Sequence, residues 1–73
     1  MKPKKLNLDE IYEIYGLFYV NKPSPQDLRR IVGILYPNKV QLFITPDDVL
    51  SGIVAGLYAN GINEFIEFIK RIS

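Results

Sequence analysis

Three short strings fix where helices must begin. Ser24-Pro25-Gln26-Asp27 and Thr45-Pro46-Asp47-Asp48 each set a hydroxyl residue before a proline and an acid three positions after the hydroxyl. A hydroxyl at the N-cap accepts a hydrogen bond from an orphan backbone N–H, and a proline at the first helical position gives up a donor that had no partner. The aspartate then lies in the first turn, where the helix dipole favours negative charge. Asn7-Leu8-Asp9-Glu10 has the form of a capping box without the proline. A chain of 73 residues divided this way folds as a set of short helices.

The apolar spacing agrees. A first helix is expected over about 8–20, with Leu8, Ile11, Tyr15 and Phe18 in one stripe, Ile14 widening it, and Tyr12 and Tyr19 to the side. Asn21-Lys22-Pro23 ends it, because a residue before proline is pushed out of the α region. The second helix follows Ser24 and repeats Leu28, Ile31, Val32 and Leu35, which turns Arg29 and Arg30 to solvent; Tyr36-Pro37-Asn38 stops it. The third, over about 46–59, carries Leu50, Ile53, Val54 and Leu57 on one side and Ser51, Gly52, Ala55, Gly56 and Ala59 on another. Asn60-Gly61 forms a C-cap, with Gly61 in the left-handed region. The fourth begins near Asn63 and buries Phe65, Ile66, Phe68, Ile69 and Ile72.

Between the second and third helices, Lys39-Val40-Gln41-Leu42-Phe43-Ile44 is enriched in β-branched and aromatic residues and partly alternates. A short β-strand over about 40–44 is the expectation, with Val40, Leu42 and Ile44 on one face and Gln41, Phe43 and Thr45 on the other. A lone strand leaves its backbone groups unsatisfied, so it needs a mate, either 4–8 or its own copy in a second chain. The expected fold is therefore mainly α, with four short helices and one short strand before the third helix, paired across a homodimer. The whole of 1–73 reads as one small domain, with 1–5 as a disordered basic tail.

Composition limits the function. Hydrophobic residues make up 48% of the chain against 23% charged, more apolar surface than a small monomer easily hides, which implies a homodimer or a protein partner. Neither cysteine nor histidine occurs, which removes disulfides, thiolate sites, the commonest general base near neutral pH and the commonest metal ligand. The acid pairs Asp47-Asp48 and Asp9-Glu10 fall in first helical turns, where the dipole accounts for them. No catalytic residue, metal site or cofactor is expected, and the chain reads as a binding protein. No stretch approaches the roughly 20 apolar residues of a membrane span; together with the lack of a signal-like start this points to a cytoplasmic protein with no membrane partner.

From Lys39 to Ile72 the order of alternating strand, Thr45-Pro46-Asp47-Asp48-Val49-Leu50, helix, Asn60-Gly61 and helix resembles the ribbon-helix-helix DNA-binding proteins. In that family two chains pair their strands into a ribbon that enters the major groove of double-stranded DNA. The resemblance implies Gln41, Phe43 and Thr45 as outward base readers, and the amides of Asn63 and Glu64 against phosphate. Lys39, Arg29 and Arg30 are further candidate DNA contacts. Val40, Leu42 and Ile44 with Gly52, Ala55 and Gly56 would form the dimer interface, although the small residues serve close packing within one chain equally well.

A second set of matches resembles the helical dimerisation domain of archaeal and eukaryotic acidic ribosomal stalk proteins: Ile11-Tyr12, Lys22, Leu28-Arg29-Arg30-Ile31, Ile53-Val54-Ala55-Gly56-Leu57 and Ile62-Asn63-Glu64-Phe65-Ile66. Lys39 to Ile44 is an added segment relative to that pattern. This resemblance implies the alternative function, a protein–protein interaction or dimerisation module, stalk-like or an accessory of a larger assembly such as a phage particle. In that case Tyr12, Tyr19 and Phe43 are the expected anchors for a partner.

Overall fold

All three cap strings start helices in the computed structural model, which describes residues 2–20 and 22–72. Helix α1 spans Leu8–Tyr15, α2 Pro25–Leu35, α3 Pro46–Ala59 and α4 Asn63–Ile72. Asn7, Ser24 and Thr45 each accept from the backbone N–H three residues on, and Glu10, Asp27 and Asp48 each accept in return from the cap's own N–H. Two donors at each helix start are thereby satisfied by side chains. Gly61 closes α3 at φ +72°, a conformation that side-chain-bearing residues rarely adopt.

Helix α1 does not continue regularly to residue 20. It widens at Gly16 into a π-helical turn, Gly16–Val20, which lets Phe18 bury completely while the Tyr15 and Tyr19 rings stack 4.7 Å apart. The core is one cluster in which Ile14, Phe18, Ile31, Val32, Leu35, Ile53, Leu57, Phe65 and Ile69 are almost wholly withdrawn from solvent. Leu8, placed by its spacing in the inner stripe, is instead 63% exposed, because it sits at the first helical position, beyond the edge of that cluster. Leu6, directly after the segment 1–5 expected to be a disordered tail, is buried.

The N-terminal segment is held at two points. The Lys4 N–H donates to the Leu35 carbonyl at 2.7 Å. The Leu6 N–H donates to the side-chain oxygen of Asn60 at 2.7 Å, and the Asn60 amide nitrogen donates to the carbonyls of Lys4 at 3.1 Å and Gly56 at 2.8 Å. One side chain at the end of α3 thus ties the start of the chain to the helical bundle. From its sequence position, only a part in ending the helix was legible.

The expected strand is not formed, and no strand occurs among the described residues. Val40–Leu42 is a 3-10 turn, and the N–H groups of Leu42 and Phe43 bond to the carbonyls of Lys39 and Val40. Backbone groups that a strand would have offered to a mate are here taken up in part by these local bonds. The side chains also depart from the expected alternation at three positions. Phe43 is buried, whereas Leu42 and Ile44 are 51% and 75% exposed.

Phe43 is the reason. Its ring lies over Gly52 of α3, in space that a side chain at Gly52 would fill, and 4.9 Å from the ring of Tyr36. The Tyr36 hydroxyl donates to the Gly52 carbonyl at 2.9 Å, and burial pushes its pKa up. Gly56 serves in the same way: a Cβ there would stand 2.8 Å from Leu35 Cδ1. The small-residue face of α3 is therefore used inside the chain, to bring α2 and the 3-10 turn close. Its inward stripe runs through Val49, Gly52, Ile53, Gly56 and Leu57, rotated from the one expected, and this leaves Leu50 and Val54 half-exposed on the outside.

Candidate interaction surface

Among the described residues no polar or charged residue is buried, and no group of three or more acids forms a metal-type cluster. No helix there is long and apolar enough to cross a membrane. What the surface does offer is apolar area, in two places.

The first is the aromatic end, where the π turn meets α4. The Tyr19 ring lies 4.7 Å from Tyr15 and 4.8 Å from Phe68, stacked on both, and edge-on to Phe65 at 5.8 Å. Phe18 meets Phe68 edge-on at 5.7 Å, and the Arg71 guanidinium sits 5.7 Å from the Phe68 centroid. The Tyr15 hydroxyl donates to a Glu64 carboxylate oxygen at 2.7 Å. That hydrogen bond, with burial, raises the Tyr15 pKa to about 12, since ionisation would set a phenolate against a carboxylate. Tyr19 touches three neighbouring rings and is still 46% exposed. Only Tyr12, 63% exposed, stands clear of the stack.

The second is the outer side of α3. An apolar groove of about 390 Å³ lies between the N-terminal halves of α2 and α3, lined by Pro25, Leu28, Arg29, Ile44, Pro46, Val49 and Leu50. Leu50 also lines a second groove, of about 630 Å³, against α4, with Asp47, Ser51, Val54, Ala55, Tyr58, Ile69 and Lys70. Ser51 and Ala55 carry this surface on to a third recess beside Leu42 and Phe43. The first two grooves join at Leu50 into one mainly apolar tract, on which Ile44 and Tyr58 are 75% and 73% exposed, whereas the third recess, lined also by Asp48 and Ser51, is mixed in character.

No protein family, curated protein or solved structure matches this chain. Geometry alone therefore sorts the residues singled out from sequence. Leu42 and Ala55 share the recess beside Phe43, while Ile44 lines the groove between α2 and α3. Gly52 and Gly56 are covered by Phe43 and Leu35, and Val40 is half-buried against the core. Gln41 and Lys39 are exposed on the 3-10 turn, while Phe43 is turned inward. The Thr45 hydroxyl accepts from the Asp48 N–H, and Glu64 is engaged by Tyr15. Asn63 is exposed at the start of α4. The Arg30 guanidinium pairs with Glu13 at 2.8 Å, whereas Arg29 stands at the rim of the first groove.

Leu50, Val54 and Tyr58 went unmarked as surface residues, yet the sequence carried a signal for them. Helix α3 is apolar nearly all round, and such a helix is stable in water only when covered on every side. Its own core covers one side.

Proposed function

We propose that this chain is a non-enzymatic binding module that engages another protein through the outer side of α3. The observation that carries the reading is the continuous tract through Ile44, Leu50, Val54 and Tyr58, set between two grooves and without a charged residue at its centre. Apolar patches rimmed by polar residues commonly mark interaction sites, and aromatic and aliphatic anchors beside recesses are what dominate protein interfaces. The duplex-reading alternative needs Gln41, Phe43 and Thr45 on the outer face of a paired strand. Here the Phe43 ring is spent on packing against Gly52, and the Thr45 hydroxyl on capping α3.

A photoreactive residue placed at Tyr58 tests the proposal in the cells that make the protein. Adducts with protein are expected. Adducts with nucleic acid alone, or a low-salt shift of mixed-sequence duplex by the purified folded protein, would replace this reading with DNA binding.

A further inference from the structure

The occupant of the α3 tract follows from the charges at its edges. Arg29 stands at the rim of the groove on the α2 side of Leu50, and Asp47 at the rim of the groove on the α4 side. Neither has an ion-pair partner among the described residues, although the neighbouring Arg30 and Asp48 are engaged by Glu13 and by the Thr45 cap. Lys70, which also lines the α4-side groove, is engaged by Glu67 at 3.9 Å; apart from it, the apolar surface carries an open cation on one flank and an open anion on the other, and is complementary to itself. A two-fold axis lying over Leu50 exchanges the flanks, so that what one copy lacks the other presents.

We propose that the partner covering this tract is a second copy of the same chain, joined about a two-fold axis with Arg29 of each copy against Asp47 of the other; this rests on the binding-module reading above and identifies its partner. A closed two-fold interface uses the same patch on both subunits, so every contact occurs twice. Ile44 and Tyr58, which project from the tract, then have apolar recesses opposite them in place of water. An interface of standard size takes roughly 800 Å² from each partner. That is about a sixth of the 4904 Å² this chain exposes, a share that requires both grooves and the ridge between them.

Sedimentation equilibrium on the purified chain tests this, with circular dichroism on each variant to confirm folding. The wild-type protein is expected to dimerise in the micromolar range. Arg29→Asp and Asp47→Arg should each weaken the dimer on the order of tenfold or more, because each places two like-charge contacts in one interface. The double variant, with the charges exchanged, should recover most of the loss. Arg29→Ala and Asp47→Ala give a milder pair if a reversal unfolds the chain, and each should weaken association in the same direction. A wild-type monomer at high micromolar concentration, or a dimer indifferent to all four single variants, overturns the proposal. If the chain is monomeric while the Tyr58 probe still forms adducts with a different protein, the binding-module reading stands and only the identity of the partner falls.

Discussion

The aromatic end and the outer side of α3 are both rich in large apolar side chains, yet they differ in what those side chains touch. At the aromatic end the rings satisfy one another: Tyr19 is stacked on two neighbours, Tyr15 donates to Glu64, and Arg71 lies over Phe68. Along the outer side of α3, Ile44 and Tyr58 rise beside grooves that no described residue fills. Exposure alone does not separate the two, since Tyr12 and Tyr58 are comparably open at 63% and 73%. What separates them is whether the exposed group stands beside open apolar grooves, as Ile44 and Tyr58 do, or is stacked on other rings, as Tyr19 is.

Substitutions sharpen this contrast, the largest effect coming from the ring cluster. Phe65→Ala should cost about 3–5 kcal/mol in denaturant unfolding, because a fully buried ring is lost and the surrounding aromatics cannot collapse into the space. Gly52→Val should cost about 1–3 kcal/mol, since the added side chain meets the Phe43 ring. Tolerance at Gly52 would mean that the 3-10 turn is not pinned there. Asn60→Ala removes the side chain that holds Lys4 and Leu6 and should cost about 1–3 kcal/mol, with faster amide exchange at Leu6.

Smaller effects test the comparison most directly. Tyr19→Ala should cost about 1 kcal/mol or more through its ring contacts. Tyr58→Ala should change the stability of the dilute protein by no more than about 0.5 kcal/mol, while weakening association. Equal losses at the two positions would erase the distinction between a self-satisfied surface and an open one. Finally, the tyrosinate difference spectrum between wild-type protein and Tyr15→Phe should show a transition centred at about 12. A phenol whose folded pKa is raised contributes stability that is fully present below its unfolded pKa near 10 and is lost as pH rises through the folded value. The Tyr15–Glu64 contact should therefore matter at neutral pH and fail only in strong alkali.

How much of this was legible in the sequence depended on the range of the interaction involved. The caps at Asn7, Ser24 and Thr45, the stop at Tyr36-Pro37 and the left-handed Gly61 are decided within four or five residues, and all of them form. The segment 39–44 was misread because β-branched and aromatic enrichment marks packing value as much as strand geometry. Here Phe43 packs into space that Gly52, nine positions away, leaves open. The Asn60 tie spans 54 residues to Leu6, and no local pattern announces it. The α3 surface was half legible: a helix apolar on both sides signals a cover, but only the fold shows which side the core has already taken.

The seating of Phe43 over Gly52 also bears on how two copies can meet. Small helical proteins with a flexible connection sometimes associate by domain swapping, in which the connection straightens into a hinge and hands half of the fold to a neighbour. In this chain the link between α2 and α3 is fastened at its middle, so straightening it would pull a buried ring from its place and break the Tyr36 hydroxyl's bond to α3. That penalty falls on the open form alone. This favours the proposed dimer of finished units, surface against surface, over one in which the chains exchange helices.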